Sequence, residues 1–115
     1  MVCSLLKDAN REGVITAYNV VRFRTKPGLE DEFEDWFCKL RRDFEGLRKM
    51  ALIKTGDRSY CSIGEWESYD HIIAARPKMI SNLDKFRHSL EVQGESIDVT
   101  DAVSGEAIYE STPTR

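Results

Sequence analysis

The chain is poor in the residues that most often announce a chemistry. Its three cysteines, Cys3, Cys38 and Cys61, are scattered with no C-x-x-C spacing. That gives no support to a disulfide framework or a zinc site, and it fits a reducing cytoplasm. There are two histidines, His71 and His88. No Ser-His-Asp or Cys-His relation, Gly-rich phosphate loop or metal-ligand spacing can be traced, so neither a metal nor another cofactor is expected. No apolar run approaches the ~20 residues that span a bilayer. The opening Met-Val-Cys-Ser-Leu-Leu-Lys is too short an apolar stretch for a secretory signal. Seventeen basic side chains face twenty acidic ones, for a formal net charge of −3. The basic stripe wanted by nucleic acid or an anionic membrane is therefore missing, and neither is expected as a partner. No internal repeat or low-complexity stretch is present.

What remains is an ordinary globular chain. Its 115 residues, 41% hydrophobic, suffice for one core and not two. Residues 1–12 are polar towards their end and read as an appended arm; residues 13–115 read as one domain. From Val14 to Arg24, β-branched and aromatic residues predict a long first strand. Alternation places Ile15, Ala17, Asn19, Val21 and Phe23 on one face. Val14, Thr16, Tyr18, Val20, Arg22 and Arg24 take the other. Both faces are substantially apolar, so both sides of this strand need a cover.

Lys26-Pro27-Gly28 is a turn into a predicted helix over Leu29 to Phe44. At ~100° per residue, Leu29, Phe33, Trp36, Phe37, Leu40 and Phe44 form one apolar stripe. Acidic residues at its start and Lys39, Arg41 and Arg42 at its end complement the helix dipole. A hairpin follows, Lys49 to Lys54 and Ser59 to Glu67 around Thr55-Gly56-Asp57-Arg58. On its return strand Tyr60, Ser62, Gly64 and Trp66 share a face. Ser68 caps a second helical region, expected to restart at Pro77 and to end at Gly94. Met79, Leu83, Phe86 and Leu90 line its apolar side, with Arg87 at the border. Both histidines point away from that side. A last strand is expected within Ile97 to Glu110, around Ala107-Ile108-Tyr109, after a bend at Ser104-Gly105.

Strand, helix, strand, strand, helix, strand is the order of an α+β, ferredoxin-like βαββαβ fold: an antiparallel sheet with its helices on one face. The helices cover one side of the two-sided first strand. The same sheet of a second copy is the simplest cover for the other, which predicts a homodimeric α/β barrel.

Three stretches at fixed spacing carry a resemblance: Val21-Arg22-Phe23-Arg24-Thr25-Lys26-Pro27-Gly28 before an acidic helix, Trp66-Glu67-Ser68 closing the third strand, and Ser104-Gly105 near a last strand ending in Glu110. Together they resemble the antibiotic biosynthesis monooxygenase family of the dimeric α/β barrel superfamily, over roughly Ile15 to Glu110. The resemblance implies small oxygenases that use neither metal nor flavin, beside haem-degrading relatives. Val21 stands where the family often has an asparagine, and Asn19 lies two residues earlier on the same face. Ser62 stands where quinone-forming members carry an asparagine. Trp66 matches the family's tryptophan, and Arg87 lies near its arginine on the last helix. Ala75 and Lys85 stand where the haem-degrading branch wants tryptophan and histidine, which disfavours haem degradation.

The reading that follows is a cofactor-independent monooxygenase-like enzyme for a small aromatic or quinol substrate. Asn19, Trp66 and Arg87 are its candidate catalytic residues, with Tyr60 and Ser62 binding substrate. Asn19 and Ser62 would bond the substrate oxygen, Trp66 would wall the pocket, and Arg87 would hold an enolate or phenolate. A non-catalytic dimeric barrel that binds a small ligand or serves in regulation or stress response stays open beside it, as does isomerase or decarboxylase chemistry on the same scaffold.

Overall fold

The computed structural model describes residues 15–94 and 99–113. The arm expected over residues 1–12 lies outside them. In chain order the elements are β1 (Ala17–Arg24), α1 (Glu30–Lys39), β2 (Leu47–Gly56), β3 (Ser59–Trp66), α2 (Tyr69–Phe86), a short 3-10 turn (Arg87–Ser89) and β4 (Thr100–Glu106). The strands form one sheet in the order β2-β3-β1-β4, every pair antiparallel. This is the ferredoxin-like arrangement. Among the described residues, no helix is long and apolar enough to cross a membrane.

The core lies between the sheet and its helices, and it is filled by the faces that the alternation of β1 and β3 assigned. Ala17 and Phe23 of β1 are buried, as are Tyr60 and Trp66 of β3. They divide into two clusters. Phe23 and Tyr60 pack with Phe33 and Phe37 of α1 and Phe86 of α2. Ala17 and Trp66 pack with Phe44, Ile72 and Ala75. Tilted aromatic contacts do much of the joining in the first, with the Phe23 and Phe33 rings 5.3 Å apart and those of Phe33 and Tyr60 4.7 Å apart.

Three elements, α1, α2 and β4, differ most from the sequence expectation. Helix α1 stops at Lys39 rather than Phe44, because the Arg42 guanidinium turns back and donates to the carbonyls of Phe37 and Leu40. Those carbonyls lack intrahelical partners at any helix end. Phe44, freed from the stripe, stacks on Trp66 with ring centroids 5.9 Å apart, while Trp36 is left partly exposed. Helix α2 runs through Pro77 without a break. Pro77 and Ile73, whose carbonyl loses its bond there, both lie on the exposed side, where water can take the place of the missing N–H. The helix gives way to the 3-10 turn at Arg87, well before Gly94. Finally, β4 covers Thr100–Glu106 and includes Ser104 and Gly105, which pair with Asn19 and Tyr18. It is an edge strand of mostly exposed side chains, held by its ladder to β1 rather than by burial. Hydropathy therefore gave its position poorly.

The other face of the sheet carries a row of apolar residues that are direct cross-strand partners: Ala51 with Ile63, Ile63 with Val20, and Val20 with Val103. The row crosses all four strands. Val103 at one end of the row and, two residues from Ala51 at its other end, Ile53 are exposed large hydrophobics.

Candidate functional site

A cavity of about 380 Å³ opens between the inner face of the sheet and α2. This is within the range of roughly 300–1,000 Å³ usual for small-ligand sites. Its walls come from both core clusters, with Phe23, Phe37 and Phe86 on one side and Phe44 and Ile72 on the other. The polar groups in the wall are few, which makes each of them informative.

Asn19 is the most constrained of these. It projects inward from β1, is 6% exposed, and lines the cavity. The Trp66 indole N–H donates to its Oδ1 at 2.7 Å. An indole nitrogen can only donate, so the acceptor end of the amide must face Trp66. The amide NH₂ is therefore the end left over. It has no protein acceptor among the described residues. Two N–H donors, fixed in direction by a buried aromatic, are available to whatever occupies the cavity. Gly64, directly opposite Asn19 in the ladder, is what makes room: a Cβ there would come within 2.3 Å of Asn19 Oδ1 and 2.8 Å of Trp66 Nε1.

Ser62, two residues before Gly64 on the same strand face, is also a buried wall residue and offers a hydroxyl to the same space. Trp66 is fully buried behind Asn19 and is not itself part of the wall. The structure thus brings Asn19, Ser62 and Trp66 together and leaves Tyr60 and Arg87 apart from them. The Tyr60 ring lies against Phe33, and its hydroxyl donates to Glu34 on the far side of the first cluster. Burial, reinforced by that bond and the charge of Glu34, holds the phenol well above its ordinary pKa. Arg87 sits in the 3-10 turn and pairs with Asp84 at 3.3 Å. Helix α2 ends one residue earlier, so the helical spacing that brought Arg87 to the border of the apolar side no longer applies.

Two arginines that the sequence reading did not assign to the site stand in the wall, Arg42 and Arg76. Arg42 is held by the α1 carbonyls and lies 4.2 Å over the Phe37 ring; burial depresses its pKa. Arg76 is exposed at the rim. It reaches the hydroxyls of Tyr69 and Ser104 at 3.3 and 3.4 Å. Its sequence signal was available, since Ile72, Arg76, Met79 and Leu83 follow helical spacing and put a guanidinium into an apolar stripe. Neither histidine reaches the wall. His71 Nδ1 lies 2.6 Å from Ser68 Oγ, and His88 Nε2 lies 2.9 Å from Glu32. Among the described residues no group of three or more His, Cys, Asp or Glu is arranged to hold a metal.

No family model matches the chain, and no curated protein matches it by sequence. Solved structures do match it. The cofactor-independent oxygenase SnoaB from Streptomyces nogalater is 22% identical, covers 85% of this chain and 96% of its own, and superposes with a TM-score of 0.61. A Bordetella bronchiseptica protein provisionally named an antibiotic biosynthesis monooxygenase is 13% identical over 81% of this chain and 97% of its own, with a TM-score of 0.66. The fold is that of the antibiotic biosynthesis monooxygenases. The heme-degrading protein Rv3592 from Mycobacterium tuberculosis shares it as well, at 14% identity over 88% of this chain and all of its own, with a TM-score of 0.58. Identities of this size establish a common architecture and leave the chemistry to the residues in the cavity.

Proposed function

We propose that the protein is a cofactor-independent, monooxygenase-like enzyme acting on a small phenolic or quinol aromatic held in this cavity. The observation that carries the reading is the Trp66–Asn19 hydrogen bond, which aims the Asn19 NH₂ into a largely apolar space beside the Ser62 hydroxyl. Fixed donors in such surroundings favour the oxyanion of a bound phenol over the neutral form. A phenolate or its carbanion tautomer is electron-rich enough to reduce O₂ itself. For a ring methylene the balance is CH₂ + O₂ → C=O + H₂O, with no outside reductant. The apolar walls keep water from quenching the anion.

A purely ligand-binding barrel would suit an asparagine satisfied by backbone and a filled space beside the tryptophan. Here the amide is held by a side chain, and the open space lies beside Asn19, with Trp66 behind it. The working unit in this proposal is a homodimer joined across the Ala51–Ile63–Val20–Val103 row. The free Cys38 and Cys61 thiols are in keeping with a reducing compartment.

Oxygen uptake with a panel of hydroquinones and anthrone-like phenols tests the reaction. Uptake should be catalytic for at least one of them and should fall by roughly 10²–10³ in N19A, the range usual for losing one oxyanion donor. Turnover unchanged in the N19A/W66F double variant would remove these residues from the mechanism.

A further inference from the structure

The charge inside the cavity runs opposite to that of the molecule. The chain as a whole carries −3, yet among the described residues the only charged ones in the wall are Arg42 and Arg76, with no Asp or Glu. The two arginines differ in what they have free. Arg42 is spent on backbone carbonyls. Arg76 contacts neutral hydroxyls alone, through one of its terminal nitrogens and at long range, and lies 5.9 Å from the Tyr69 ring. Among the described residues no carboxylate pairs with it. Asp70 and Glu106 line a neighbouring hollow that shares Ser104 with the cavity, and neither bonds to Arg76. A guanidinium has five donors in a planar fork suited to two parallel bonds with a carboxylate. At this rim most of that fork is unused.

We infer that the cavity's ligand is an aromatic acid, whose ring lies among the phenylalanines and whose carboxylate is held at the rim by Arg76. This rests on the cavity being the functional site, as proposed above, and adds the class of molecule that it selects. Arg76 acts here as a specificity residue. The apolar interior accepts any flat ring of suitable size, and the rim distinguishes the charged ring from the neutral one.

Titration calorimetry with 1-hydroxy-2-naphthoate and its carboxamide, which match in shape and differ in charge, tests the inference. The native protein should bind the acid more tightly than the amide, by on the order of tenfold or more for a charge-assisted fork. R76Q should lose most of that preference, and R76K should keep part of it. The acid's advantage should also shrink as salt is raised. Equal affinities in the native protein, or an R76Q that weakens both ligands alike, would overturn the role of Arg76. In that outcome amide binding that is sensitive to N19A would leave the cavity reading standing. If neither compound binds, the cavity reading falls and this inference falls with it.

Discussion

A methyl group added at Gly64 would land on the Trp66–Asn19 hydrogen bond, so G64A tests the site without replacing either of its polar partners. The substitution should break the bond and leave a buried amide oxygen unpaired, costing about 1–3 kcal/mol of stability. Urea unfolding should read that loss, and ligand affinity should fall in parallel. Two tyrosines add a pH dependence at the same scale. Tyr18 donates to Glu110, and that bond with burial lifts its pKa to about 12. Tyr60 is raised in the same direction by burial and Glu34. A phenol whose folded pKa exceeds its unfolded value near 10 stabilises the fold fully below that pH. The contribution is lost as pH rises towards the folded pKa. Alkaline unfolding should therefore begin above about pH 10, and Y18F should make the loss between about pH 10 and 12 shallower. Stability measured by denaturant at a series of pH values would show it. What the sequence revealed at this scale was the common face of Ser62 and Trp66 on one strand and the place of Asn19 beside Ala17 and Phe23 on another. It did not reveal the amide's direction, which depends on a partner 47 residues away.

Strand β1 was legible from its run of β-branched and aromatic residues, and β3 from the hairpin pattern, with its burial alternating strictly along the strand. Helix ends and β4 were not, because what fixes them is hydrogen bonding. Arg42 ends α1 by reaching its carbonyls, and the ladder to β1 fixes β4 although its side chains are mostly exposed. The start of α2 is the counter-example. Ser68 Oγ accepts from the His71 backbone N–H as the sequence implied, and S68A should cost about 1 kcal/mol in thermal or urea unfolding. The loop before β2 packs onto the same turn. Gly46 has φ +85°, and a Cβ there would strike the His71 ring at 2.3 Å. Pro77 makes the opposite prediction to Ser68. Replacing it with alanine restores the hydrogen bond to Ile73 within a continuous helix, and the melting temperature should rise, by an amount worth up to about 3 kcal/mol.

At the scale of the whole molecule, the apolar row on the outer face is the surface on which the proposed dimer rests. If two copies meet there, V20E buries a charge against its own twin and should convert the dimer to a monomer in light scattering at micromolar concentration. A native chain that already sediments as a monomer would remove the barrel. Asn19 and Ser62 lie on the opposite side of the sheet, so ligand binding and assembly should be separable in that variant.

The gap between the two core clusters is walled by residues of both, and in the function proposed above it is the ligand's place. An occupant of that gap does more than dock: it acts as a keystone, completing an interior that the chain leaves unfinished. Filling it should lower the heat capacity of the complex and raise the melting temperature as ligand concentration rises.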